Sequence, residues 1–494
     1  MTTLSRENLT DGQTLRQKVS DIYTKKVVTC LPMDSIRDLA KKMIEAKVSS
    51  VVVKAFNGKP IGIITEKDLV RKVLSAEVPD LERKAHEIMS PRLVTVRPDD
   101  FTYQALLMMV RHNISHIVAT SDHDVLDGIV TIKDLIRTRR NGAISIVGQI
   151  EQQDNFSGLA ALINETDQVQ RALLSERAYA SEICALINEL YDRGTRKVIQ
   201  LAEEQLVSEG WGAPPAKYCF INMGSAGRKE QFSRTDQDNG IIFEDSKEES
   251  AAMAANYFLA LGKRIVLGLE ECGFKRCIGE VMADNPRWCL PISMWKNNLK
   301  IWVDRLDGRN IRNMTIFLDY RNLAGDAALF EDLKRFTTRL FRDSKHALLF
   351  MAEDDLKHRV PLNMFGKFIT EKSRSSEKVL NLKNSVMVHL VDCIRIFSLR
   401  EGLQETNSFE RIHRLKERGV FKPDDAESIE AAYEALLMFR IRDAAEKMKA
   451  GSQPDNFIDP GSLTKKDKAL LKESLAIVNH LQSLTAHAFH VHKA

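Results

Sequence analysis

The chain has 494 residues, 44% apolar and 28% charged, an ordinary globular composition with length for several separately cored domains. Its 72 basic and 68 acidic residues leave a net charge of +4, so no global field demands nucleic acid or an anionic membrane as partner. The opening Met-Thr-Thr-Leu-Ser-Arg-Glu lacks the apolar core of a signal peptide and no stretch approaches the roughly 20 apolar residues of a membrane span, so the expected location is the cytoplasm. Seven cysteines without a Cys-x-x-Cys pair speak against both a zinc centre and a disulfide framework.

Two segments in the first 140 residues repeat one another. Val27-Val28-Thr29, a helical stretch from Ser35 to Ala46, Ser49 to Val53 and Gly62-Ile-Ile-Thr-Glu-Lys-Asp-Leu69 are answered by Val94-Thr95-Val96, Phe101 to Arg111, Ser115 to Val118 and Gly128-Ile-Val-Thr-Ile-Lys-Asp-Leu135. The spacing is 66 residues, which predicts strand, helix, strand, strand, helix twice over. This pattern resembles a tandem CBS pair, spanning 19–142 with repeats at about 19–75 and 86–140, and Ile88-Met89-Ser90-Pro91 is a lead-in such modules often show. The resemblance implies a homodimer formed through the pair. It also implies adenylate binding (AMP, ADP or ATP) by Thr65, Asp68, Thr131 and Asp134, with hydroxyl near phosphate and carboxylate on ribose. The chemistry is sensible locally, since a carboxylate accepts from both ribose hydroxyls and a helix start favours phosphate. The same residues are equally suited to capping the helices that follow.

From Phe156 to about Glu209 the apolar spacing is helical, ending at the breaker Gly210-Trp-Gly-Ala-Pro-Pro215. The stretch 143–211 is expected to be a helical connector, either coupling sensor to catalyst or serving as a plain spacer. The informative string follows. Tyr218 to Met223 reads as a strand ending at Gly224-Ser225, where a short helix can offer free N–H groups to a triphosphate. Eleven residues on, Asp236 and Asp238 flank Gln237 and precede the apolar Ile241-Ile242-Phe243. Side chains two apart on a strand share a face, roughly 7 Å apart, so both carboxylates can reach one pair of divalent ions. An acid-x-acid pair alone says little, because 68 acids in 494 residues produce roughly nine by chance. The whole string, Gly-Ser-x-Gly-Arg-x-Glu-Gln and then Thr-Asp-Gln-Asp-Asn, resembles the nucleotidyltransferase superfamily that includes DNA polymerase β. Within it the string looks like the branch of the PII-protein uridylyltransferases, and most like bacterial proteins joining such a domain to CBS modules.

The α/β transferase domain is expected over 212–325. Ala251 to Cys272 reads as helix closed by Gly273, Phe274 to Met282 as strand, and Asn285 to Cys289 as a turn. Asn313 to Arg321 is rich in strand formers, and the resemblance places a third metal carboxylate, Asp319, at its end. Pairing with an arginine is the alternative for that acid. Beyond Gly325 no strand pattern survives, so 326–494 is expected to be all-helical. There Asn381-Leu382-Lys383, Asp392 and Arg395 match the helical substrate-binding domain of the family, while Ser408 stands where the family pattern suggests Thr. His487, His490 and His492 read as a frayed helical end rather than a metal site.

These parts imply a Mg²⁺-dependent transfer of NMP from NTP to an acceptor hydroxyl, with two ions held by Asp236, Asp238 and Asp319, which are also the catalytic residues. Gly224, Ser225 and Arg228 bind phosphates, unless Arg228 is a partner of Glu230. The acceptor implied by the resemblance is a protein hydroxyl. Those uridylyltransferases also carry a metal-bearing hydrolase domain. Here the only His-Asp dipeptide, His123-Asp124, sits in a polar loop, so removal of the nucleotide is not expected. Rival readings are a catalytically silent nucleotide sensor and RNA nucleotide addition, the latter supported only by Lys296, Lys300, Arg305, Arg309 and Arg312, which a solvated helix face also explains.

Overall fold

The computed structural model describes residues 18–75, 80–112, 114–121, 124–137, 142–175, 177–363, 366–372 and 378–491; His123 and His492 lie outside them, as does the side chain of Arg309. The chain divides into two compact units between Gly148 and Gln149.

The first unit is built from β1 (Thr29–Cys30), α1 (Ile36–Ala46), β2 (Ser50–Lys54), β3 (Pro60–Thr65) and α2 (Glu66–Leu69), then α3 (Ala85–Ile88), β4 (Thr95–Val96), α4 (Thr102–His112), β5 (His116–Thr120), β6 (Leu126–Thr131) and α5 (Ile132–Arg137). Each half is a three-stranded sheet in which the first two strands are parallel and the last two antiparallel. The sequence repeat is carried into the register: Thr29 faces Val52 and Val52 faces Ile63, as Thr95 faces Val118 and Val118 faces Ile129. Alternation along β2 explains how one strand serves two interiors. Val51 and Val53 point into a core with Ile36, Leu39 and Ile64, while Val52 joins Val118 and Ile129 at the seam between the sheets.

The halves also exchange backbone. Thr24 trades hydrogen bonds with Ile129 of the second half (2.9 and 3.1 Å), and Ser90 trades them with Ile63 of the first (2.9 and 3.2 Å). Glycine makes the crossing possible. A Cβ on Gly128 would lie 1.7 Å from Tyr23 Cδ2, and one on Gly62 would lie 2.5 Å from the Met89 sulfur.

The second unit follows α6 (Gly142–Ile150), which crosses the boundary in sequence. Its helices α7 (Phe156–Ser175) and α8 (Ala180–Ser208) are not a spacer: 20 of the 29 residues of α8 are buried. The charged residues Glu189, Asp192 and Arg193 are buried with it and paired, Asp192 with Arg321 and Glu189 with Arg193. Next come β7 (Tyr218–Asn222), α9 (Gly224–Gly227), β8 (Asn239–Phe243), α10 (Glu248–Glu271), β9 (Cys289–Pro291), α11 (Ile292–Asp304), α12 (Gly308–Phe317) and β10 (Arg321–Gly325). The sheet order is β10-β7-β8-β9, with β7 antiparallel to both neighbours and β8 parallel to β9. Every residue of β7 and β8 is buried, as their unbroken apolar runs require. Among the described helices α10 is long and apolar enough to cross a membrane, which the sequence reading did not expect; half of its apolar window is buried inside the unit.

Two expected strands are absent. Residues 274–282 are irregular, with Lys275 alone bridging Asp236, and the edge strand comes later at Cys289. Asn313 to Phe317 are the end of α12, because Asp307 caps that helix by accepting from Asn310 N (2.8 Å) and Ile311, Met314, Phe317 and Leu318 bury with helical period.

The helical region comprises α13 (Ala327–Asp343), α14 (Lys345–Leu356), α15 (Val388–Arg400), α16 (Ser408–Glu417), α17 (Pro423–Lys449) and α18 (Lys465–Ala488). It is the helical region expected, with one small antiparallel sheet, β11 (Glu371–Lys372), β12 (Lys378–Asn381) and β13 (Phe457–Ile458), set among the helices. It does not stand apart at residue 326. One core runs from Ile221 and Ile242 through Trp295, Phe317 and Tyr320 to Phe341, Met351 and Ile396.

Gly128→Ala should lower the melting temperature of the first unit, since the inserted methyl must displace a ring tethered through its hydroxyl to Asp127 (3.2 Å), at about 1–3 kcal/mol. Differential scanning calorimetry checks this against Gly58→Ala, where a Cβ meets nothing within 4 Å and only the positive φ is disturbed.

Candidate functional site

In the second unit the Gly224-Ser225 string sits where β7 ends. Gly224 takes φ +56°, and a Cβ there would be 2.8 Å from Asp238 Oδ2. Gly227 is equally constrained, its missing Cβ lying 1.8 Å from the Asp319 carbonyl oxygen. Met223 N donates to Asp238 O (2.8 Å), so the loop and the carboxylate pair are one piece of backbone. Gln237 is buried, its amide donating to Val266 O (3.2 Å) and Phe274 O (3.3 Å). Strand alternation therefore turns its neighbours the other way, leaving Asp236 exposed and Asp238 half-buried.

Asp238 borders a cleft of about 240 Å³, lined on one side by Gly224 and Ser225 and on the other by Lys383, Asp392, Tyr433 and Arg440 of the helical region. Burial and the like charge of Asp236 push the Asp238 carboxyl up to about 6, against the Cys277 thiol, Lys383 and Arg228, which favour its ionised form. Lys383 opens a π-helical turn, Lys383–Met387, and burial holds its amine below the usual lysine range despite the two aspartates.

Asp319 does not join the pair. It sits in the turn after α12, wholly buried, and three arginines use its oxygens: Arg228 (2.7 Å), Arg395 (2.6 and 3.0 Å) and Arg411 (2.7 Å). Burial opposes ionisation, but the three guanidiniums outweigh it and hold the carboxyl far below the usual range. In this arrangement the lone pairs of Asp319 are committed to these cations, which is the arginine pairing given above as the alternative for this acid. Arg228 is likewise committed, to Glu230 (2.6 Å) as well as Asp319.

The same knot explains the segment 405–411. Thr406 Oγ1 donates to Gly227 O (2.8 Å), Asn407 Nδ2 to Arg228 O (2.9 Å) and Ser408 N to Glu230 (2.7 Å), so the start of α16 grips the glycine loop after β7. Tyr433 donates to the same Glu230 (2.6 Å). These contacts escaped the sequence reading because they join positions some 180 to 200 residues apart; the one signal was the run of capping residues ahead of Arg411.

In the first unit a cleft of about 910 Å³ is lined by residues of both repeats, among them Thr65, Thr131, Ser49, His116, Lys67 and Lys133. Asp68 accepts from Thr65 N (3.0 Å) and Oγ1 (2.7 Å), and Asp134 from Thr131 N (2.8 Å) and Oγ1 (2.7 Å). Both threonines accept in return from the aspartate N–H (3.3 Å). The capping geometry is thus realised in both repeats, with the threonines, not the aspartates, lining the cleft. His116 bridges Ser49 Oγ and Ser115 Oγ (2.9 Å each), and burial lowers its pKa.

Residues 19–75 and 85–141 match the CBS domain, 164–309 the family described as "Putative nucleotidyltransferase DUF294", and 345–489 the "Putative nucleotidyltransferase substrate binding domain". The chain belongs to the DUF294 nucleotidyltransferase-like family and carries a CBS pair. An uncharacterized Methanopyrus kandleri protein is 36% identical over 119 residues, 24% of this chain and 61% of that one. A 17.7 kDa Acidianus ambivalens protein is 33% identical over 120 residues, 24% of this chain and 71% of its own length. Among solved structures, a CBS domain protein from Pyrobaculum aerophilum complexed with AMP is 26% identical, covering 25% of this chain and 95% of that one, with a TM-score of 0.24. The DUF294 match contains the loop and the Asp-x-Asp pair; Arg395 and Arg411 lie in the substrate-binding match, and Asp319 falls between the two.

Asp319→Asn should destabilise the second unit by about 3–5 kcal/mol, because it strips charge from a site holding three buried guanidiniums; urea denaturation measures it, with Asp236→Asn as the neutral reference. A second expectation concerns Lys334, whose amine is buried over the Tyr320 ring (4.5 Å) and lowered to about 7 by burial. The unfolded chain then binds the extra proton between about 7 and the ordinary lysine value, so stability from this group rises with pH across that window. Lys334→Met should stabilise most at pH 6, with the gain over the parent shrinking toward pH 9 in denaturation curves.

Proposed function

We propose that the second unit transfers a nucleoside monophosphate from an NTP to an acceptor hydroxyl, and that an adenine nucleotide (AMP, ADP or ATP) in the cleft of the CBS pair regulates the transfer. One observation carries the reading. Among the described residues neither Asp236 nor Asp238 has a salt-bridge partner, although they abut a glycine loop in a unit that surrounds Asp319 with three arginines. Two adjacent carboxylates, one of them pushed up to about 6, are a donor set that suits Mg²⁺. When bound, the ions neutralise charge on the phosphoryl oxygens.

The chain's own groups supply the rest. Ser225 and the loop N–H groups face the terminal phosphates, and Lys383 brings a positive charge to the same cleft. The acceptor oxygen bonds to the α-phosphorus, the bond from that phosphorus to the α,β-bridging oxygen breaks, pyrophosphate leaves, and the hydroxyl proton passes to solvent water at the open, Asp236 side of the cleft. Asp319 cannot take that proton, being held ionised in its arginine cage. Likeness to the PII uridylyltransferases supports a protein hydroxyl as acceptor, with a cytoplasmic homodimer joined through the CBS pair as the working form. The arginine cage favours a second reading, an NTP-binding sensor that performs no transfer.

Incubating the protein with each labelled NTP, Mg²⁺ and cell extract should label a macromolecule. Asp238→Asn should abolish the labelling while leaving thermal stability within a degree or so of the parent. Labelling by none of the four nucleotides, with NTP binding intact, would establish the silent sensor instead.

A further inference from the structure

We infer that an asparagine-rich pocket beside the carboxylates is the nucleoside-recognition site of the second unit. It would take a base presenting a ring carbonyl, uracil or guanine, in preference to one presenting an amine there, cytosine or adenine. The inference rests on the nucleotidyl-transfer reading and addresses the part of the substrate that loop and carboxylates leave untouched.

Topology fixes the location. β9 runs parallel to β8, Cys289 facing Ile241, so the chain leading into β9 lies at the same end of the sheet as the carboxylates leading into β8. That stretch, with α11 and α12, encloses a pocket of about 480 Å³, within the range that holds a mononucleoside. α12 faces both ways, since Thr315 and Ile316 line the catalytic cleft while Asn310, Arg312 and Asn313 line the pocket. The two spaces lie close to one thiol. The Cβ position of Gly279, which lines the pocket, is 3.0 Å from Arg312 Nη2 and 3.5 Å from Cys277 Sγ, and Cys277 is near enough to Asp238 for each to act on the other's ionisation.

The lining selects the chemistry. Four of its ten residues are asparagine, two are arginine and none is acidic. Guanidinium only donates, and each asparagine brings one carbonyl beside a two-donor amide, so donors predominate. A ring carbonyl with a neighbouring N–H is met by guanidinium and amide on one edge, whereas an exocyclic amine finds few acceptors. Asn285 and Asn310 spend donors on Glu280 O (2.9 Å) and Arg305 O (2.7 Å). Among the described residues Asn298 and Asn313 have no hydrogen-bond partner, which leaves their amides to a ligand. Trp288 and Trp302, with ring centroids 5.9 Å apart and planes tilted by 52°, add apolar surface on which a base can rest. Of the basic run from Lys296, Lys296 pairs with Asp332 (2.8 Å) and Lys300 lies over Phe336, while Arg312 faces the pocket.

All four tryptophans (Trp211, Trp288, Trp295 and Trp302) lie in the second unit and two of them, Trp288 and Trp302, line this pocket, so their fluorescence is a direct probe of it. The full-length protein is titrated with the α,β-methylene analogues of UTP, GTP, CTP and ATP, and with inorganic triphosphate, all with Mg²⁺. The UTP and GTP analogues should bind about five- to tenfold tighter than the other two. Asn298→Ala and Asn313→Ala should each weaken the UTP analogue by about the same factor and leave triphosphate affinity unchanged. Equal affinity for all four bases, or variants that bind the UTP analogue as the parent does, would overturn the assignment while triphosphate binding keeps the transferase reading alive. A parent that binds neither nucleotide nor triphosphate overturns both.

Discussion

The carboxylate of Asp319 holds the second unit together. Its three arginines come from three places, Arg228 from the turn closing the glycine loop, Arg395 from α15 and Arg411 from α16. Taking this much charge out of water is unfavourable unless the cluster is close to neutral and every donor is used. Glu230 on Arg228 and Asp392 on Arg395 supply the remaining negative charge. The knot is also a geometric device. Loop, β10 and the helical region are fixed against one another at one atom pair, so the cleft between Asp238 and Lys383 has a defined width without any covalent tie.

Much of the architecture was legible in the chain. Val52 and Val118, Ile63 and Ile129 are related by the same 66 residues in sequence and in strand register, because a strand buried on both faces tolerates little change of pattern. The string from Tyr218 to Phe243 was equally readable, since apolar runs, a positive-φ glycine and alternating carboxylates are local signals. What could not be read was non-local. Asp319 lies 76 and 92 residues from Arg395 and Arg411, and no periodicity connects them. The misassigned strand at Asn313 had a local cause. β-Branched and aromatic residues outweighed a capping aspartate six residues upstream, yet the cap and the helical spacing of Ile311, Met314, Phe317 and Leu318 decided the structure.

The site itself divides along the same line. Gly224, Ser225, Asp236 and Asp238 are contiguous enough to be found by motif, whereas the opposite wall, Lys383, Tyr433 and Arg440, belongs to helices that fold over it from far along the chain. The two walls also fall in separately described family segments, the loop in residues 164–309 and the opposite wall in 345–489.

The exchange of Thr24 with Ile129 and of Ser90 with Ile63 bears on how the first unit is made. A ribosome releases the first repeat long before residue 129 emerges, so that repeat waits with one sheet edge unpaired and the seam face of Val52 bare. Neither half is a separable lobe. The pair must close in one late, long-range step, which makes it slower to mature than its small size suggests and ties its solubility during synthesis to how soon the second repeat arrives.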